Sequence, residues 1–108
     1  MAGLSPTQRT LKAMRGQGRL CGIVERFNPY AGPHGIRQDL FGFIDLLAIR
    51  RDETLAVQVT ASGVSSRVKK IEASPHLGRV REAGWKIFVH GWRKNAAGKY
   101  VMRIVDLS

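Results

Sequence analysis

The stretch Asp39 to Thr60, DLFGFIDLLAIRRDETLAVQVT, decides how this chain is read. It breaks into two strand-like runs, Phe41 to Ile49 and Thr54 to Thr60, around the charged turn Arg50-Arg51-Asp52-Glu53. A short polar turn between two such runs predicts an antiparallel hairpin. In the second run the two-residue period puts Leu55, Val57 and Val59 on one face, with Ala56, Gln58 and Thr60 on the other. Asp45 interrupts the first run between Ile44 and Leu46. Burying that carboxylate unpaired is strongly unfavourable, so it reads either as a site residue or as the partner of a core arginine. It meets Gln58 and Thr60 only if it points to their face.

Working outward, Ser5-Pro6-Thr7-Gln8 has the form of a helix start, with Ser5 as N-cap and Pro6 at the first helical position. Leu11 and Met14 then share an apolar face, Arg9, Lys12 and Arg15 a basic one, and residues 1–18 form an N-terminal helical segment closed by glycines. Residues 19–27, RLCGIVERF, predict a first strand carrying Glu25. The turn-rich run Asn28 to Gly35 predicts an exposed loop, where Tyr30, His34 and, just beyond it, Arg37 are candidates for touching nucleic acid. After Thr60, Val64, Val68 and Ile71 recur at helical spacing, and a second helical piece runs from Pro75 to Ala83 before Gly84. Two strands follow, Trp85 to Trp92 and Tyr100 to Leu107; in the first, Trp85, Ile87 and Val89 share one face and Lys86, Phe88 and His90 the other. The predicted order is αβββαββ, a single domain over residues 1–108 of α/β or α+β class, with about five strands in one mixed sheet flanked by helices.

Composition narrows the partners. Eighteen Lys and Arg against eight Asp and Glu give a formal charge of +10 on 108 residues. That balance favours nucleic acid, ahead of an acidic membrane surface or a merely solvated basic face. A lone Cys21 rules out an intramolecular disulfide and reads as a small buried hydrophobe. No window approaches the ~18 apolar residues of a membrane span and no signal-peptide pattern opens the chain, so a cytoplasmic protein without membrane contact is expected.

Phosphate-loop, dinucleotide, zinc and nucleophile-elbow patterns do not occur. What remains is a set of oxygen ligands: Asp45 with Gln58 and, further off, Asp39 or Glu25, a set that Mg²⁺ accepts. Asp39 reads as a strand-start or turn residue, although six residues of strand would also bring it to the face of Asp45. Arg67, Lys69 and Lys70 read either as a solvated or phosphate-binding face or as catalytic cations. His90, Trp92, Arg93 and Lys94 suit contact with DNA near the sheet edge, though Trp85 and Trp92 are of a kind more often found in a core or interface.

The runs RQDLFGFIDLLAI, AVQVT, SSRVKKIEA and HGWRK resemble the PD-(D/E)XK nuclease superfamily, especially its small phage and bacterial Holliday-junction-resolvase-like members, over most of the chain from Arg37 onward. The resemblance implies a restriction-endonuclease-like core and a metal-dependent DNA endonuclease acting on branched or distorted duplexes, often as a homodimer. It places Asp45 at the motif aspartate and Gln58-Val59-Thr60 at the acidic-x-Lys tripeptide, with Mg²⁺ or Mn²⁺ held by Asp45, Gln58 and the Val59 carbonyl. Two positions depart from the pattern: Gln58 replaces the acid and Thr60 the lysine. The resemblance then implies a lysine that has migrated to the next helix, Lys70 ahead of Lys69. The alternative is a non-catalytic DNA- or RNA-binding accessory protein on a decayed nuclease fold.

Overall fold

The computed structural model describes residues 4–108, so the first three residues of the helical segment expected over 1–18 lie outside the described residues. In chain order the elements are α1 (Pro6–Gly16), β1 (Leu20–Ile23), β2 (Arg26–Asn28), β3 (Ile36–Gln38), β4 (Leu46–Arg50), β5 (Glu53–Thr60), α2 (Val64–Glu72), α3 (Leu77–Glu82), β6 (Lys86–Lys94) and β7 (Tyr100–Asp106). Five strands make one mixed sheet in the order β1-β4-β5-β6-β7, with only β5 and β6 parallel. The fold is α+β.

The hairpin forms as its sequence predicts. Leu46 pairs with Val57 and Arg50 with Glu53, which leaves Arg51 and Asp52 as the loop. Because β5 is buried on both sides, each of its faces carries its own core. Leu55, Val57 and Val59 join Leu46 and Ala48 beneath Leu11 and Met14 of α1. Ala56 joins Phe43, Ile44, Ile87 and Val89 beneath Ile71 of α2 and Leu77 and Val80 of α3. Helix α1 starts where predicted, the Ser5 hydroxyl accepting from the Gln8 N–H at 3.2 Å.

Three expectations about strands are corrected. The strand expected over residues 19–27 breaks after Ile23, because the Val24 and Glu25 N–H groups both turn onto the Asp45 carbonyl, at 2.9 and 3.3 Å. The chain then leaves the main sheet and makes the separate β2–β3 ribbon, in which Phe27 pairs with Arg37. The strand expected over Phe41 to Ile49 begins only at Leu46. Phe41 and Gly42 take left-handed φ values of 54° and 82°, so the chain reverses there in a tight turn closed by a Leu40–Ile44 bridge. For a phenylalanine that conformation costs ~1–2 kcal/mol. The observed order is therefore αβββββααββ and not αβββαββ. Cys21 is half-buried on the edge strand β1 and not fully buried.

The seat of α2 depends on the absence of a side chain. A Cβ on Gly91 of β6 would collide with Cγ2 of Val64, the first residue of α2, and a β-branched side chain cannot swing aside. Gly91→Ala should therefore destabilise the protein by ~1–3 kcal/mol in urea unfolding, and Val64→Ala in the same chain should recover part of that loss. Unchanged stability in Gly91→Ala would show that α2 does not rest on bare backbone.

Candidate metal centre

Asp45 stands just before β4, opposite Gln58 of β5, and its backbone N–H, its carbonyl and Oδ2 are all engaged. Its N–H donates to the Val57 carbonyl and its carbonyl accepts from Val24 and Glu25. Its Oδ2 accepts from Gln58 Nε2 at 2.6 Å and from the Val59 N–H at 2.8 Å. Asp45 therefore does point to the face of Gln58. Val59 contributes an N–H here, where the resemblance implies a carbonyl ligand.

Two further carboxylates reach the same spot along different paths. Glu25 is delivered by the β1–β2 break, whose N–H groups hang on the Asp45 carbonyl. Asp39 is delivered by the turn around Phe41 and Gly42, whose backbone closes on the Asp39 carbonyl through Gly42 at 3.0 Å. Strand parity is not what aligns Asp39 with Asp45, since residues 41–43 are a turn. One ligand atom from each of Glu25, Asp39 and Asp45 lies within 4.8 Å of the other two, an arrangement that can hold a metal ion.

At that separation two ionised carboxylates repel by ~3 kcal/mol at an effective dielectric constant of ~20, a sizeable share of a small domain's ~5–15 kcal/mol of stability. Two of the three have cations to offset this. Lys70 Nζ of α2 lies 3.1 Å from Asp39 Oδ2, and Arg37 of β3 lies 3.5 Å from Glu25 Oε1. Asp45, only 5% exposed, has no ion-pair partner among the described residues. Burial first, and then the neighbouring Asp39 and Glu25, push its carboxyl up to about 7 against the pull of the Val59 N–H.

Two atoms beside the cluster are buried without a partner. The Gln58 side chain is 3% exposed and spends its NH₂ on Asp45, leaving Oε1 with no donor. Arg67 lies one helical turn before Lys70, and its Nε is left with no acceptor. Both residues line the same cleft of about 270 Å³ as the three carboxylates and Lys70. An orphan acceptor asks for a cation and an orphan donor for an anion. The donor set of three carboxylates and an amide oxygen is entirely oxygen, which suits a hard divalent cation.

The other residues expected at the site are dispersed. Lys69 is exposed and does not line the cleft. Tyr30 is 94% exposed at the tip of the β2–β3 ribbon. Arg93 and Lys94 sit at the end of β6, where they line a polar recess with Arg103 and Ser65. Arg103 was not expected there; pairing of β6 with β7 sets it opposite Gly91, which only the register reveals. His90 is corrected outright: it is 3% exposed beneath α1, its Nδ1 3.4 Å from Thr10 Oγ1. Burial pushes its imidazole down to about 4, so at neutral pH it is an uncharged core residue and no DNA contact. Trp92 is half-buried and donates through Nε1 to the same Thr10 hydroxyl at 2.8 Å.

Comparison with protein-family models, with curated proteins and with solved structures found no match. Among the described residues no helix is long and apolar enough to cross a membrane.

The titration of Asp45 makes the site measurable. Its folded pKa of about 7 lies above its ordinary 3.8, so the native state keeps a proton that the unfolded chain has released. The metal-free protein should therefore lose stability as pH rises through that window, and the melting temperature of Asp45→Asn should not follow this loss. Binding a cation displaces the proton, so the apparent affinity for Mn²⁺ by titration calorimetry should fall about tenfold per pH unit below about 7. An affinity independent of pH between 5 and 8, an interval of roughly three units chosen to bracket that value, would exclude Asp45 as a ligand.

Proposed function

We propose that this chain is a metal-dependent nuclease of the PD-(D/E)XK type, cutting phosphodiester bonds in branched or otherwise distorted DNA. The observation that carries the reading is the pair of orphan atoms in one cleft, the Gln58 oxygen beside three carboxylates and the Arg67 Nε beside Lys70. A metal would be held by Glu25, Asp39, Asp45 and Gln58 in the same cleft that Arg67 and Lys70 line, and these two could take a phosphate there. A net charge of +10 supplies the long-range attraction for DNA. The mixed five-stranded sheet, with the acid-bearing hairpin β4–β5 at its centre, supports a restriction-endonuclease-like core.

Mg²⁺ or Mn²⁺ is the cation that an all-oxygen donor set favours, and when bound it supplies a more acidic water and neutralises the phosphate. The protein's own groups do the rest. Gln58 Nε2 and the Val59 N–H hold the Asp45 carboxylate in one orientation once it has lost its proton. Arg67 fixes the phosphate through a guanidinium whose Nε is already desolvated, and this limits the reorganisation needed when substrate arrives. Lys70, 41% exposed on its side chain, can exchange Asp39 for the charge that develops on the phosphate. It takes the role of the lysine absent at Thr60. The resolvase-like reading includes two copies, one for each strand cut.

A second reading, a DNA- or RNA-binding accessory protein without catalysis, is favoured by one observation. The Thr60 hydroxyl accepts from the Gly63 N–H at 3.0 Å and carries no charge, so it cannot supply the ammonium that the motif has at this position.

The two readings separate in single-turnover assays on a branched DNA substrate. The nuclease reading expects cleavage with Mg²⁺ or Mn²⁺, lost about a hundredfold or more in Asp45→Ala, with a drop of about 10²–10³ in Lys70→Ala at little change in DNA affinity. Salt-sensitive binding with no cutting by the native protein under either metal would establish the accessory reading instead.

A further inference from the structure

The turn that brings Asp39 into the metal cleft carries a residue that neither the turn nor the core requires. Phe41 occupies the first of two successive left-handed positions, with φ 54° followed by 82° at Gly42. Asn, Asp or Gly normally fills that place, because a bulky side chain is strained there. The strain is not offset by full burial, since Phe41 remains 45% exposed. An exposed aromatic held in a strained turn beside a site is a functional signal.

What Phe41 does face is a recess on the outer side of the same turn. Its ring stands 6.5 Å from that of Trp85 and 6.2 Å from that of His76, tilted at 45° and 51°, so the three rings do not close on one another. Together with Arg79 of α3 they line a cavity of about 230 Å³. That is below the ~300–1,000 Å³ of sites for drug-sized ligands, and suits one planar ring system. Its largely apolar walls are the three rings, the aliphatic Val80 and Ala83, and Arg79; aromatic faces with a guanidinium alongside are surroundings in which nucleobases stack.

We infer that this recess takes a single unpaired nucleobase, stacked among Phe41, Trp85 and His76 with Arg79 alongside. The occupant follows from position and charge. Asp39, two residues before Phe41, is one of the three clustered carboxylates of the cleft proposed to meet the DNA backbone, so one short turn joins the recess to that cleft. A chain of charge +10 draws a polyanion to that surface in preference to a free apolar ligand. The inference rests on the nucleic-acid reading of the metal cleft and deepens it. A fully paired duplex keeps its bases stacked and cannot fill the recess, whereas a junction, bulge or flap can, and this gives a physical cause for selecting distorted DNA.

Phe41→Asn tests the inference because Asn-Gly is the sequence this turn prefers. The variant removes the aromatic face while relieving the backbone, so its melting temperature should not fall. Binding is measured by fluorescence anisotropy in EDTA, where no cutting occurs, on a bulged duplex and on its fully paired counterpart. The variant should bind the bulged DNA about 5- to 150-fold more weakly, the loss expected for one base–aromatic stack, with unchanged binding of the paired duplex. Equal preference for bulged DNA in variant and native protein would overturn the inference. On the native chain, photo-crosslinking of a bulge containing iodouracil should place adducts on Phe41, His76 or Trp85; adducts confined to other residues would overturn it as well. A protein that binds bulged DNA through this recess yet never cuts it would overturn the nuclease reading alone, and one that binds no DNA would overturn both.

Discussion

A single buried carboxylate organises this molecule. Asp45 ties β5 to the start of β4 through its N–H, ends β1 by accepting from Val24 and Glu25, and fixes Gln58 and Val59 through Oδ2. Three segments distant in sequence meet at one residue because each has a polar group that needs a partner there. A group so enclosed is unfavourable as an unpaired anion, and the structure offers hydrogen bonds but no counter-ion. The site therefore carries an unmet demand for positive charge, which a proton meets below about pH 7 and a cation could meet above it.

The charges around Asp45 are segregated by depth. Acids lie on the floor of the cleft, where Asp45 and Gln58 are almost wholly buried, and cations lie at its rim, where Arg37 and Lys70 remain partly exposed. A chain with +10 overall thus presents a local negative well inside a positive field. Such a field would attract a polyanion and such a well could hold a divalent cation, the combination that the proposed nuclease reading requires. In this arrangement Lys70 and Arg37 serve two purposes. They offset the repulsion among the carboxylates in the metal-free fold, and on the proposed reading they would become available once a metal took over that task.

Much of this was legible from residue order. The hairpin β4–β5 and the two faces of β5 follow from a period of two, and an aspartate between Ile44 and Leu46 marked itself as out of place. Spacing put Arg67 and Lys70 on one face of α2, and the structure sets that face along the cleft. Three features were hidden for physical reasons. The turn at Phe41 reads as strand because its side chains are apolar, while its direction is set by two left-handed backbone positions. The β2–β3 ribbon is too short and too exposed to leave a pattern, its three-residue strands having almost no buried face. His90 looked like a surface contact because alternation assigns it to the face opposite Ile87, and nothing in β6 itself reveals that α1 covers that face with Thr10. Asp39 read first as a strand-start or turn residue, with strand parity as the weaker route to Asp45, and it reaches Asp45 through a turn. Local periodicity sees one element at a time, whereas the acid cluster is made by two connections between elements, β1–β2 and β3–β4.

The central claim is that Glu25, Asp39, Asp45 and the orphan oxygen of Gln58 form one cation site. Anomalous diffraction from crystals soaked in Mn²⁺ above pH 7.5, roughly half a unit past the Asp45 titration, tests it directly. The account predicts one strong anomalous peak coordinated by all three carboxylates and by Gln58 Oε1, with Lys70 released from Asp39. A peak elsewhere, or no peak at this cluster while the Lys70–Asp39 pair stays closed, would contradict it.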